Sequence, residues 1–267
     1  MKRASASAKI NLALVVGRRR DDGYHEVATV LQRIDLADRI EIEPADELSV
    51  EGFSNDTLVR RALELLGAQS GARWRAQIEK HIPVAAGLGG GSSDAATALA
   101  LASETLEQPL APERLHSLAA QLGSDVPFFL TDGPQLATGT GTELAPLQLP
   151  QDFWIVLVLP GGVTKRSTAD VYDTFDDGEG FAERRHALLD ALERVQRPVD
   201  LAALPPNDLA TSPLSDELLA TGAFRADVSG AGPAVYGLFV QEGDAAAAAQ
   251  RFRARGRVWI TAPAWYG

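Results

Sequence analysis

Apolar residues recur along this chain with two periods. Residues 10–16, 28–36 and 39–43 alternate or cluster them as strands do, whereas 57–66 sets Leu58, Ala62, Leu65 and Leu66 at helical spacing. The alanine-rich stretch 95–106 predicts a helix. Residues 113–122 predict another, with Leu115, Leu118, Ala119 and Leu122 on one face and Gly123 placed to end it. Residues 133–150 are rich in Gly, Thr and Pro, which predicts a loop and a boundary near its end, giving domains 1–150 and 151–267. Beyond it, 154–159 reads as a fully buried strand. Helices over 181–195 and after Ser212, strands at 224–228 and 234–240, a helix through the alanines after Asp244 and a last strand near 257–261 follow. That order is α+β.

Composition narrows the setting. With 267 residues, 45% hydrophobic and 23% charged, the chain can bury a sizeable core. No stretch approaches the roughly 20 apolar residues of a membrane span, and Lys9 and Asn11 interrupt the apolar run that an export signal would need. Zero cysteines exclude a disulfide framework and a thiolate metal site and suit a reducing cytoplasm. His25, His81, His116 and His186 are scattered, with no pair at metal-ligand spacing. A net charge of −11 argues against a nucleic-acid surface, so an anionic small molecule would need positive groups concentrated locally.

One segment has the composition for that. Pro83-Val84-Ala85-Ala86-Gly87-Leu88-Gly89-Gly90-Gly91-Ser92-Ser93 runs into Asp94 and the alanine-rich helix. Glycines let backbone N–H groups close around an oxygen-rich ligand, and the helix start adds its positive dipole end. Ser92 or Ser93 is the expected cap, with the helix beginning near Asp94. No Gly-Lys-Ser/Thr closes the run, and a serine replaces the third glycine of the dinucleotide pattern, so neither of those two phosphate loops applies. A plain flexible turn before a helix has the same composition.

Three more clusters accompany the loop: Lys9-Ile10-Asn11-Leu12 with Asp22-Gly23-Tyr24-His25, Ser124-Asp125-Val126-Pro127-Phe128-Phe129, and Ser229-Gly230-Ala231-Gly232-Pro233. In this order they resemble the small-molecule kinases of the galactokinase, homoserine kinase, mevalonate kinase and phosphomevalonate kinase (GHMP) superfamily. Within it the pattern is most similar to the family that phosphorylates 4-diphosphocytidyl-2-C-methyl-D-erythritol. The resemblance implies a two-domain α+β GHMP kinase fold. Its parts are an N-terminal ribosomal-protein-S5-like ATP-binding domain and a C-terminal ferredoxin-like substrate-binding domain.

It also implies ATP and Mg2+ as cofactors, and a cytidine-diphosphate-linked acceptor phosphorylated on its 2-hydroxyl. The protein would be a cytoplasmic monomer or weak homodimer. Asp125 would take the hydroxyl proton, with Lys9 keeping that carboxylate ionised and offsetting transition-state charge; alone, they read as a turn aspartate and a solvated edge-strand lysine. Residues 83–93 would hold the nucleotide phosphates. Tyr24 would stack on cytosine and His25 would bond its edge. Tyr172, near Thr168, would supply the second ring, with Phe175 as its alternative, and Asn11 would bind the sugar or phosphate. Adenine would fall to Thr57 or Asn55. Asn207-Asp208-Leu209 fits both the family pattern and a helix cap, and Arg18 to Arg20 fit a solvated hairpin tip. No magnesium ligand is assigned. Another GHMP-type kinase, or a nucleotide-binding protein without activity on the same fold, would share the loop without needing Tyr24 and His25.

Overall fold

The computed structural model describes residues 1–162, 168–175 and 179–264. The chain forms two compact units, one of Met1–Ala8, Leu36–Val84 and Gly89–Asp132, the other of Lys9–Asp35, Ala85–Leu88 and Gly133–Gly267. Two long strands, β1 (Lys2–Arg19) and β2 (His25–Pro44), pair with each other and supply residues to both units.

In the first unit the C-terminal part of β2 pairs antiparallel with β4 (Trp74–Glu79), with Arg39 opposite Glu79, and β3 (Ser49–Glu51) runs parallel to β4. Strand β4 alternates buried and exposed residues, as expected of a sheet with one covered face. The helices are α1 (Leu58–Ser70), α2 (Gly90–Ser103) and α3 (Pro112–Leu122), followed by a 3-10 turn at Pro127–Leu130. Val59, Ala62, Leu63 and Leu66 of α1 and Ala95, Ala98, Leu99 and Ala102 of α2 are buried. α1 packs against α2, whose alanines permit close approach at little rotamer cost.

In the second unit β1 and β2 turn at residues 20–24. Val27 to Leu31 pair with β5 (Gln135–Gly139), and β5 pairs with β6 (Glu143–Pro146). This hairpin lies in the stretch expected to be loop: Thr138 and Gly139 end β5, the remaining Thr and Gly of the run, 140–142, form the turn, and Gly139 supplies a left-handed conformation, φ 65°. A second, antiparallel sheet has the order β10-β7-β9-β8, from β7 (Trp154–Pro160), β8 (Arg225–Val228), β9 (Val235–Phe239) and β10 (Gly256–Thr261). Among the described residues, helices α4 (Thr168–Asp173), α5 (Phe181–Arg194), α6 (Pro213–Leu219) and α7 (Glu242–Phe252) accompany it. The succession of strands and helices with this strand order is ferredoxin-like. Val156, Val158, Leu218, Val235, Phe239, Ala248 and Phe252 form its core.

Boundaries moved in two places for local reasons. The segments at 28–36 and 39–43 are one strand: Asp38, at the expected break, is buried and accepts from Ile82 N, so it continues the strand. Helix α2 opens at Gly90, inside the glycine run, with Gly89 as a left-handed N-cap (φ 70°, ψ 13°) and no side-chain cap. Ser92 and Ser93 therefore lie in the first turn and do not cap the helix. Ser212 does cap α6, accepting from Leu214 N.

Candidate active site

Residues 6–17 of β1 are buried without interruption, so the strand's polar residues must be satisfied internally. Lys9 and Asn11 stand two residues apart on one face and are only 4% exposed, which excludes a solvated edge lysine. Lys9 Nζ donates to Asn11 Oδ1 at 2.7 Å, Asn11 Nδ2 donates to Thr29 Oγ1 at 2.8 Å, and Thr29 Oγ1 donates to Ala13 O at 2.7 Å. The relay fixes the Asn11 amide with its oxygen toward the ammonium. Tyr236 holds the same residue from its backbone, donating from its hydroxyl to Asn11 O at 2.9 Å. Burial pushes the Tyr236 phenol up to about 12, so it remains a neutral donor. Thr29 and Tyr236 carry no sequence signal beyond being ordinary strand residues.

The glycine loop is shaped by three residues at positive φ: Ala85 (63°), Gly87 (83°) and Gly89 (70°). Ala85 pays the cost of a left-handed conformation without glycine's freedom, a type of strain that gathers at ligand loops. Carbonyls at 86–88 are used internally. Ala86 O accepts from Ala234 N at 3.0 Å, Gly87 O from Ser229 Oγ at 3.0 Å and Leu88 O from Lys9 N at 3.0 Å. Pro83, Ala86, Leu88 and Ser93 are buried, Gly87, Gly89, Gly90 and Ser92 half-buried, and Val84, Ala85 and Gly91 exposed. The first helical bond of α2 runs from Ser93 N to Gly89 O, so the amides of Gly90, Gly91 and Ser92 precede it, as an anion-receiving helix start requires.

In the same unit as α2, a charged cluster that no motif marks lies beside that start. Lys80 donates to Asp38 Oδ2 and, at 2.7 Å, to Asp94 Oδ2, while Asp38 Oδ1 accepts from His81 N and Ile82 N. Asp94 Oδ1 is buried with no hydrogen-bond partner. Burial works against the Lys80 ammonium, yet Asp94 and Asp38 outweigh it and raise its pKa. Burial likewise pushes Asp94 up, to about 7, against the pull of Lys80. Asp94 is thus driven by its burial toward the protonated form. Because the folded value exceeds the ordinary 3.8, the protonated form favours folding. That contribution is full below about pH 4 and is lost as pH rises through about 7. Asp94→Asn, which is neutral throughout, should raise the melting temperature at pH 8 by about 2–4 °C, with the gain shrinking toward pH 5. A gain equal at both pH values would show that Asp94 is ionised throughout.

His25 is buried, and its Nδ1 donates to Gly17 O at 2.9 Å; a carbonyl only accepts, so Nδ1 carries the proton and Nε2 is left for another partner. Tyr172 of α4 lies 5.6 Å from the His25 ring at 44°, and Phe175 lies 6.0 Å away, edge-on. Both aromatics pack on Leu14, Val16 and Val27. Tyr24, next to His25 in sequence, is 60% exposed. Thr168 opens α4, and its side chain lies outside the described residues. Arg18, Arg19 and Arg20 are exposed at the hairpin tip and pair with Glu179, Asp173 and Asp22 respectively.

Asp125 is half-buried in the turn after α3, anchored by buried Val126, Phe128 and Phe129; Lys9 belongs to the other unit. Thr57 is the N-cap of α1 without a side-chain cap bond, and Asp56 instead accepts from Val59 N and Arg60 N. Asn207 caps no helix. It bridges Leu14 of β1 and accepts only from Leu209 N, in an Asx turn.

The sequence matches the GHMP kinases N terminal domain over residues 57–133 and the GHMP kinases C terminal domain over 186–258. It is 42% identical to a 4-diphosphocytidyl-2-C-methyl-D-erythritol kinase of Pelotomaculum thermopropionicum, covering 94% of this chain and 93% of that protein. The corresponding kinase of Desulfitobacterium hafniense is 39% identical over 96% of this chain and 93% of its own length. A crystal structure of 4-(cytidine 5'-diphospho)-2C-methyl-D-erythritol kinase superposes with a TM-score of 0.80 at 34% identity, covering 98% and 100% of the two chains. A homoserine kinase of Cytophaga hutchinsonii shares the fold alone, at a TM-score of 0.71 and 14% identity over 97% and 95%. With its glycine loop, its buried Lys9–Asn11 pair and this likeness along nearly its whole length, the chain belongs to the 4-diphosphocytidyl-2-C-methyl-D-erythritol kinase family.

Proposed function

We infer that this kinase transfers the γ-phosphoryl group of ATP to the 2-hydroxyl of 4-diphosphocytidyl-2-C-methyl-D-erythritol. The observation that carries this most is the identity of about 40% with kinases of that name over nearly their full length. In the transfer, the acceptor oxygen bonds to the γ-phosphorus as the bond from that phosphorus to the β–γ bridging oxygen breaks, leaving ADP. The hydroxyl proton goes to Asp125. Lys9, desolvated and aligned by Asn11, offsets the negative charge of the moving group. The phosphates of ATP lie along residues 83–93 and the start of α2, with adenine toward Thr57 or Asn55.

Cytosine is held between Tyr24 and Tyr172, or Phe175 in its place, while His25 reads its edge and Thr168 and Asn11 complete the acceptor's contacts. The orientation of His25 by Gly17 O supports this, because it leaves Nε2 for the base. Residues 1–150 thus carry most of the nucleotide contacts, and 151–267 complete the acceptor side. Magnesium enters with ATP as part of the substrate. Such a cation keeps a shell that is mostly phosphate and water. The enzyme works in the cytoplasm as a monomer or weak dimer.

Coupled ATP turnover with the cytidylylated acceptor, beside untagged methylerythritol phosphate, homoserine and mevalonate, tests this. Turnover of the tagged compound alone is expected, since base–aromatic stacking contributes about 1–3 kcal/mol. Equal turnover of the untagged compound would remove the cytosine site.

A further inference from the structure

The Asn207-Asp208 pair has no part in the chemistry above, yet both side chains are engaged in hydrogen bonds to backbone and to Arg184. Asn207 is 4% exposed, and every polar group of its side chain is used. Nδ2 donates to Val228 O at 2.9 Å and to Gly230 O at 2.7 Å, and Oδ1 accepts from Leu209 N at 2.8 Å. Its backbone N–H donates to Asp227 Oδ2 at 2.9 Å. Asp208 grips the other side: its N–H donates to Leu14 O, and its Oδ2 accepts from Val16 N and from Arg184 Nε.

What Asn207 holds is the glycine turn between β8 and β9. At Gly230, with φ 55°, a Cβ would lie 3.4 Å from Asn11 Oδ1 and 3.5 Å from Lys9 Nζ. The turn backbone therefore lies close to the two polar residues of β1; Ser229 Oγ and Ala234 N tie its ends to Gly87 O and Ala86 O, and Asn207 holds Gly230 O, the carbonyl of the residue nearest Lys9 and Asn11. We propose that Asn207 is a positioning residue for phosphoryl transfer, fixing the Ser229–Pro233 turn so that it confines the Lys9 ammonium and the Asn11 amide in their reactive placement. The inference rests on the proposed roles of Lys9 and Asn11. Placement errors near 1 Å at a reacting centre cost on the order of a hundredfold in rate, so a small relaxation of this turn is enough.

Asn207→Ala should lower kcat by about 10–100-fold while the KM for ATP stays within about threefold. Asp208→Ala is the comparison: it breaks the same staple at Val16, seven residues along β1 and roughly 23 Å from Lys9. It should lower the melting temperature at least as much but leave kcat within about twofold. Overturning results are a kcat within twofold in Asn207→Ala, or a kcat loss in Asp208→Ala that follows its melting temperature, which would assign both residues to stability. If Asn207→Ala does not fold, Asn207→Ser, which keeps one donor, is judged by the same criterion, and failure of both to fold also overturns the proposal. A wild-type chain that turns over no acceptor fails the functional reading itself, and the positioning role falls with it. A wild type active on the tagged acceptor leaves the variants to decide the positioning role alone.

Discussion

Asp125→Asn is expected to bind ATP as the wild type does and to turn over at least about a hundred times more slowly. The substitution keeps shape and hydrogen-bonding capacity but removes the group able to accept the hydroxyl proton. The turn that carries residue 125 is held by Val126 N bonding Gly123 O and by the buried side chains of Val126, Phe128 and Phe129, none of which is altered. The backbone should therefore stay in place, and the loss should fall on kcat, with the melting temperature and the nucleotide Kd by calorimetry close to wild type. A kcat within a few-fold of wild type would exclude Asp125 as the base.

The second large effect is structural. Gly87→Ala should destabilise the protein by roughly 3 kcal/mol or more, a drop of about 6–12 °C in melting temperature, and abolish turnover at assay temperatures where the wild type is folded. Gly87 has φ 83°, a region that costs an L-residue about 1–2 kcal/mol. Its added Cβ would also fall 2.2 Å from Ser229 O and 3.0 Å from Gly232 O. Both are backbone atoms, so the clash cannot be relieved by a side-chain rotation. Gly91, four residues on, is the contrast: it is helical and its Cβ would meet nothing nearer than Leu58 Cδ1 at 3.5 Å. Gly91→Ala should fold normally, and thermal unfolding of the two variants side by side checks the distinction. Equal stability would mean that the glycines serve only as a flexible run.

How much of this was legible in the sequence depended on whether the signal was local. Helical periodicity placed α1, α3 and α5 within a few residues, and Ser212 marked the start of α6, because capping and amphipathic spacing are written within a single turn. The four motifs were readable because their order along the chain carries the information. Features that depend on distant partners were not. Asp38, between the two predicted strands, looks like a breaker, but its partner Ile82 N is more than 40 residues away. The β5–β6 hairpin is hidden by a Gly- and Thr-rich composition that usually marks a loop. Lys80, Asp38 and Asp94 are far apart in sequence, and each resembles a solvated surface charge. The run Asn207-Asp208-Leu209 fits a family pattern and a helix cap equally, because the partners that separate the two, Val228 and Gly230, are more than 20 residues on.

The fate of the γ-phosphoryl group bears most directly on the central claim. In the acceptor assay described above, phosphorus NMR of the reaction with the cytidylylated compound should show one ADP formed for each new phosphate monoester on the 2-hydroxyl, with little inorganic phosphate. ADP formed with inorganic phosphate alone, or a monoester appearing only when homoserine or mevalonate is supplied, would contradict it.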